Sequence, residues 1–105
     1  MRYFGVAILL AVVGTLGCGP IVSGVQIINA NIEISAAETA GALQHAIYEH
    51  TAAVEYLQKA REEHGYSDFA ASRDYADKSF DFAERARKKA EMVSKMEGPA
   101  VLPTP

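Results

Sequence analysis

The chain has 105 residues, ten basic and thirteen acidic, for a formal net charge of −3. That length holds one small domain, and the slight acidic excess gives no electrostatic reason to bind nucleic acid, whose phosphates attract basic surfaces. Half of the residues are hydrophobic but unevenly spread: Arg2 is the only formal charge before Glu33, and acids and bases alternate densely after it. The prolines are Pro20, Pro99, Pro103 and Pro105, so uninterrupted helix is permitted from about residue 21 to residue 97.

Residues 1–17, MRYFGVAILLAVVGTLG, place Arg2 before an apolar run from Tyr3 to Val13, then small residues from Gly14 to Gly17. This is the three-part order of a secretory signal. The apolar run, about 11 residues, is short of the roughly 20 that a helix needs to cross a bilayer. The single cysteine follows at once, in Leu16-Gly17-Cys18-Gly19-Pro20. A lone cysteine in an exported chain has no intrachain disulfide partner. It is left as a lipidated thiol, an intermolecular bridge, a buried thiol or the residue after an ordinary cleavage site. Gly17 gives a peptidase access to the bond, and Gly19-Pro20 are expected to keep the following backbone outside a helix. The stretch resembles the lipobox of bacterial lipoproteins, in which the cysteine is acylated and becomes the new N-terminus. That resemblance makes Thr15, Leu16 and Gly17 the signal-peptidase recognition residues and Cys18 the lipidation site. Thr15 and Leu16 depart from the family's usual leucine and small residue at those places. The resemblance further implies a covalent lipid on Cys18 as the only cofactor. With Gly19 in place of an aspartate, it implies an outer-membrane location facing the periplasm in a Gram-negative cell.

Residues 18–21 then form a lipidated linker, and residues 22–97 are expected to be helical. The segment at 21–34 is rich in β-branched residues, which lowers helix propensity, yet Ile21, Val25, Ile28 and Ile32 keep a helical stripe. Ser35-Ala36-Ala37-Glu38 matches a capping box and offers a later start, although a continuous first helix over about 22–64 is preferred. Its inner stripe is predicted as Ala36, Ala40, Leu43, Ile47, Val54 and Leu57, with His50 on the same seam. Gly65 is a candidate stop. Ser67 is a candidate cap for a second helix over about 67–97, with Phe69, Ala76, Phe80, Ala83, Ala90 and Val93 inward. The link at 63–66 is too short to do anything but fold the helices back on each other. The predicted fold is therefore all-α: a coiled-coil-like antiparallel two-helix hairpin preceded by a cleaved signal peptide, with a disordered tail at 98–105. Residues 21–34 would then overhang the second helix and expose an apolar contact stripe.

Five acid-before-base pairs stand four apart: Glu55–Lys59, Asp74–Lys78, Asp81–Arg85, Glu84–Lys88 and Glu91–Lys95. Arg85, Arg87, Lys88 and Lys89 are read as a solvated face with built-in counter-ions in preference to a phosphate or anionic-lipid patch. His45 and His50 are five apart and on different faces, unlike the four-residue spacing of a zinc-enzyme helix, so no metal site is expected. Tyr48, Tyr56, Phe69, Tyr75 and Phe80 recur at helical spacing and are read as packing residues in preference to a stacking platform for peptide or glycan. No nucleophile–base pair on a rigid cleft is legible, so no catalysis is expected.

Residues 48–90, beginning YEHTAAVEYLQKAREE, resemble an uncharacterised bacterial lipoprotein family, domain-of-unknown-function family 4398. Its members carry a similar Tyr-Glu-x-Thr-Ala-Ala-x-Glu-Tyr-Leu-x-Lys-Ala-Arg-Glu-Glu run, an aromatic turn and a helix of Ala-x-x-Ala spacing. The resemblance implies a periplasm-facing helical hairpin on a lipid anchor and no catalytic residues. The function expected is that of a lipid-anchored envelope protein with a structural or protein-interaction role. It would self-associate or bind another envelope protein, and would take neither nucleic acid nor a small-molecule substrate. A tetratricopeptide-like peptide-binding adaptor and a small single-pass inner-membrane protein with an uncleaved anchor are the alternatives.

Overall fold

The computed structural model describes the backbone of residues 4–97 and the side chains of residues 19–97. Among these residues the chain is all-α, with four helices and no strand: α1 (Phe4–Thr39), α2 (Ala42–His45), α3 (Ile47–Gly65) and α4 (Phe69–Glu97). The expected tail, residues 98–105, lies outside the described residues.

The continuous first helix predicted over 22–64 is interrupted. α1 stops at Thr39, and Gly41 takes the left-handed conformation at φ 102° and ψ 22°. Its amide donates to the Glu38 carbonyl at 3.0 Å, while its own carbonyl accepts from the amides of Gln44 and His45 at 3.1 and 3.0 Å. A second break at Ala46, with φ −144° and ψ 51°, separates α2 from α3. Helix-compatible residues flank Gly41 on both sides, so a single residue with no Cβ carries the reversal. Ser35 lies inside α1 and does not cap a helix; its hydroxyl donates back to the Asn31 carbonyl at 3.1 Å, and Thr39 donates likewise to Ser35 at 3.0 Å. Pro20 also lies inside α1, where Gly19-Pro20 were expected outside a helix.

This reversal lays α1 along the other two long helices, and cross-helix contacts fix the directions. Ser23 meets His64 and Glu38 meets His50, so α1 and α3 are antiparallel. Ser23 meets Ser72, Gln26 meets Asp77 and Glu33 meets Arg87, so α1 and α4 run parallel. Ala60 meets Ser72 and Ala53 meets Ser79, so α3 and α4 are antiparallel. Three long helices, up, down and up, replace the expected two-helix hairpin with its overhang.

What lies between them is small. α4 buries Ser72, Ala76, Ser79, Ala83, Ala86 and Ala90, in alternating steps of four and three. α3 contributes Ala53, Leu57 and Ala60, and α1 contributes Ser23, Ala30, Ile34 and Ala37. A serine hydroxyl reaches one atom past Cβ, yet Ser79 Oγ donates to the Ala53 carbonyl at 2.7 Å and Ser72 Oγ to the Ala60 carbonyl at 2.8 Å. Such reach into a neighbouring backbone places the axes near the short end of the ~8–10 Å range for packed helices. The predicted inner stripe was therefore wrong in its large residues: Leu43, Ile47 and Val54 are exposed, as is Phe80, while Leu57, Ala76, Ala83 and Ala90 are inside. Among the described residues, Leu57 and Ile34 are the only large ones buried with these alanines and serines, and Leu43, Ile47, Val54 and Phe80 turn outward.

The α3–α4 turn also differs from expectation. Ser67, not Gly65, is the left-handed residue, at φ 63°. The Asp68 amide donates to the Glu63 carbonyl at 2.9 Å and the Ser67 amide to the His64 carbonyl at 3.0 Å, the paired bonds of a Schellman end. Ser67 is thereby the residue that stops α3, and Asp68 is the cap of α4, accepting from the Ala71 amide at 3.1 Å.

Two glycines separate the conformational argument. A Cβ at Gly41 would be forced into the left-handed region and would meet His45 Cδ2 at 3.3 Å, whereas one at Gly65 meets nothing within 4 Å. Gly41→Ala should lose about 1–2 kcal/mol of stability, and Gly65→Ala should gain about 0.5 kcal/mol by restricting the unfolded chain. Urea denaturation midpoints at constant slope check both.

Candidate functional site

Four features have the chemistry to be considered: the segment around Cys18, a row of cations, a buried hydroxyl–imidazole chain and an aromatic groove. Thr15, Leu16, Gly17 and Cys18 are described only through their backbone, which runs within α1; their side chains lie outside the described residues. Immediately after Cys18, Gly19 packs against Phe69, where an added Cβ would sit 3.2 Å from the ring. Among the described residues, no helix is long and apolar enough to cross a membrane.

The cation row on α4 carries its own counter-ions. Arg85 pairs with Asp81 at 2.5 Å, Lys88 with Glu84 at 2.8 Å and Lys89 with Glu49 across to α3 at 3.2 Å. Arg87 bonds Glu33 on α1 and Glu91 on its own helix. The hydrogen bond that Arg87 donates to Glu33, then the one it donates to Glu91, hold its guanidinium above the ordinary pKa. Lys88, by its hydrogen bond, holds the Glu84 carboxyl below the usual range. Glu49, in the first turn of α3, is lowered chiefly by its own backbone N–H and then by Lys89. Two of the five predicted pairs form, Asp81–Arg85 and Glu84–Lys88. Lys59 turns instead to Glu62 and Glu63, and Lys78 lies over the rings of Tyr56 and Tyr75. With every cation of the row facing a carboxylate, no open anion site is left there.

Sequence reading did not find the hydroxyl–imidazole chain. Ser23 Oγ donates to Ser72 Oγ at 2.6 Å, and Ser72 Oγ donates to the Ala60 carbonyl. Each hydroxyl has one proton, so the 3.0 Å contact between Ser23 Oγ and His64 Nδ1 requires His64 to donate from Nδ1. The imidazole is thus a donor to the serine and not a base that could activate it. Ser23 and Ser72 are fully buried, and the ring edge of His64 rests on Phe69 at 5.3 Å between centroids. The chain ties α1, α3 and α4 together at the end nearest Cys18. Its members are 41 and 49 residues apart, so no local motif announces it.

The aromatic residues line the outside of the α3–α4 seam. Tyr56 stacks between Tyr75 and Phe82 at 6.1 and 5.6 Å between centroids, and Tyr48 meets Phe82 edge-on at 6.2 Å. With Thr51, Ala52, Glu55 and Lys59 they border a groove of about 500 Å³. Of the predicted packing aromatics, Tyr56 and Tyr75 are half-buried there, Tyr48 is largely exposed and Phe80 faces away beside α1. Among the described residues, no three His, Cys, Asp or Glu side chains are placed to hold a metal ion. His50 bonds Glu38 at 2.8 Å, and His64 is held by Ser23.

No family model matches the chain, and no curated protein or solved structure matches it. The resemblances to the lipobox and to the lipoprotein family over residues 48–90 rest on the residues that carry them.

The two buried serines of α4 differ in what their removal leaves behind. Ser79→Ala removes a donor from a carbonyl already within a helix and should cost about 0.5–1.5 kcal/mol. Ser72→Ala also removes the acceptor of the Ser23 proton, leaving that buried hydroxyl with His64 alone, and should cost about 1–3 kcal/mol. Thermal or urea unfolding of the two variants side by side checks the order.

Proposed function

We propose that the chain is a lipid-anchored cell-envelope lipoprotein, cleaved before Cys18, acylated on that thiol, and serving a structural or protein-interaction role without catalysis. One observation carries this reading: the only cysteine in the sequence follows a short apolar run and Leu16-Gly17, the order of a secretory signal ending at a thiol. Each buried methylene of an attached acyl chain adds about 0.8 kcal/mol of membrane affinity, so two or more chains suffice without a membrane-crossing helix.

Pro20 supports cleavage on physical grounds. In an uninterrupted α1 it sits in a helix interior, where the missing N–H and the ring clash cost about 3 kcal/mol. In a chain beginning at Cys18 the same proline falls in the first helical turn, where its N–H is not needed. The second reading, an uncleaved single-pass anchor, draws on the helical backbone that runs unbroken from Phe4 through Cys18 to Thr39.

One experiment separates them. Intact mass and membrane flotation are measured for the native chain and for Cys18→Ser. The lipoprotein reading predicts a native chain starting at Cys18 with added acyl mass, and a Cys18→Ser chain that is neither acylated nor cut there. A native chain that keeps Met1 and an unmodified thiol overturns it in favour of the uncleaved anchor.

A further inference from the structure

Among the described residues, the outward face of α1 has no partner. Ile21, Val25, Ile28 and Ile32 are 67, 50, 59 and 60 % exposed, the side of the helix with buried Ser23 and half-buried Gln26 and Glu33 being turned to α4 and α3. The four exposed residues follow steps of four, three and four, the strict two-position seam of a heptad repeat. In that register Val25 and Ile32 take one seam position and Ile21 and Ile28 the other, while the buried Ser23, Ala30 and Ala37 fall on the opposite side.

Three observations say what covers this face. First, residues 19–32 contain no charged side chain, so the seam and its flanks, Val22, Gly24, Asn29 and Asn31, bring no like charges together when the helix meets a copy of itself. Second, the same neutrality removes the lysines and arginines with which an interfacial helix grips anionic lipid. Third, Gly24 sits inside the helix with nothing within 4 Å of a Cβ built on it. A helix-interior glycine is unfavourable for the isolated chain, and no contact among the described residues explains it; close approach of another helix does.

We infer that α1 is a self-recognition surface, on which a second copy of this chain docks in parallel and in register through Ile21, Val25, Ile28 and Ile32. The parallel sense rests on the lipoprotein reading above, because two chains tethered at Cys18 present the same end of α1 to one membrane. In that arrangement each seam residue faces its own counterpart, so Ile28 lies against the partner's Ile28.

The test uses the full-length chain in the membranes of the producing bacterium, carrying Ile28→Cys, with Gln58→Cys on the exposed side of α3 as the control. Mild oxidation with copper–phenanthroline is followed by a non-reducing gel and mass spectrometry. Ile28→Cys should give a disulfide-linked homodimer of twice the monomer mass, at least tenfold more than Gln58→Cys. Adding Val25→Glu, an exposed change checked for intact helix content by circular dichroism, should reduce that dimer at least tenfold. The double variant Cys18→Ser/Ile28→Cys, purified in mild detergent, should still link, so a failure of lipidation and a failure of the stripe read out separately. Absence of the homodimer, equal linking at Gln58, an adduct of another mass, or dimer unaffected by Val25→Glu overturns the proposal.

Discussion

The spacing between helices governs this molecule. α4 supplies only serine and alanine at its six buried positions, and two of those serines reach directly into the backbone of α3. Small side chains bury little apolar area each, roughly a methyl group's worth, so stability has to come from many close backbone contacts and from satisfying every hydroxyl that the approach encloses. Ser72 and Ser79 meet both conditions at once: each is nearly as small as alanine, and each uses its one proton on a carbonyl across the seam. Ser72 in addition receives the proton of Ser23, which extends the same close packing to α1.

From that constraint the surface follows. Leu43, Ile47, Val54, Phe80 and the α1 isoleucines at 21, 28 and 32 find no place between the helices and are left on the outside. A chain of this size gains little from its core alone, and its outward apolar groups are where further burial is available. They separate into the aromatic groove over α3 and α4, braced by Lys78 and Arg85 above the rings, and the uncharged stripe of α1. The charged face of α4 does not compete as a binding surface, because Asp81, Glu84, Glu33, Glu91 and Glu49 neutralise it. Of these pairs only Glu33–Arg87 is largely shielded on both sides; the exposed ones are screened by solvent and add little to stability.

Much of the helical content was legible from the sequence. The absence of proline between Pro20 and Pro99 and the three- and four-residue spacing of apolar groups indicate helix across residues 21–97, and the stripe of Ile21, Val25, Ile28 and Ile32 is a helical face that is exposed. The reversal at Gly41 was not legible. Alanine, leucine and glutamine surround it, a lone glycine in such company costs a helix only about 1 kcal/mol, and tertiary packing of α1 on α4 decides in favour of the turn. Ser67 escaped for a related reason: Gly65, two residues earlier, is the more obvious helix stop, yet the Schellman bonds form one step later with a serine in the left-handed position.

The inner stripe was right at Leu57, Ala76, Ala83 and Ala90 and misassigned at Leu43, Ile47, Val54 and Phe80, where a large residue was given a place in the core. Here the alanines at 53, 60, 83, 86 and 90 are inside and the leucine and isoleucine at 43 and 47 are not. The His64–Ser23–Ser72 chain, spanning three helices, leaves no spacing in sequence by which to find it. The close seam itself is tested most directly by enlarging it: Ala83→Leu, measured by urea unfolding against the unaltered chain. Overpacking a tight interface should cost about 1–3 kcal/mol. Equal or greater stability of the leucine variant would mean that the helices stand far enough apart to accept it, contradicting this account.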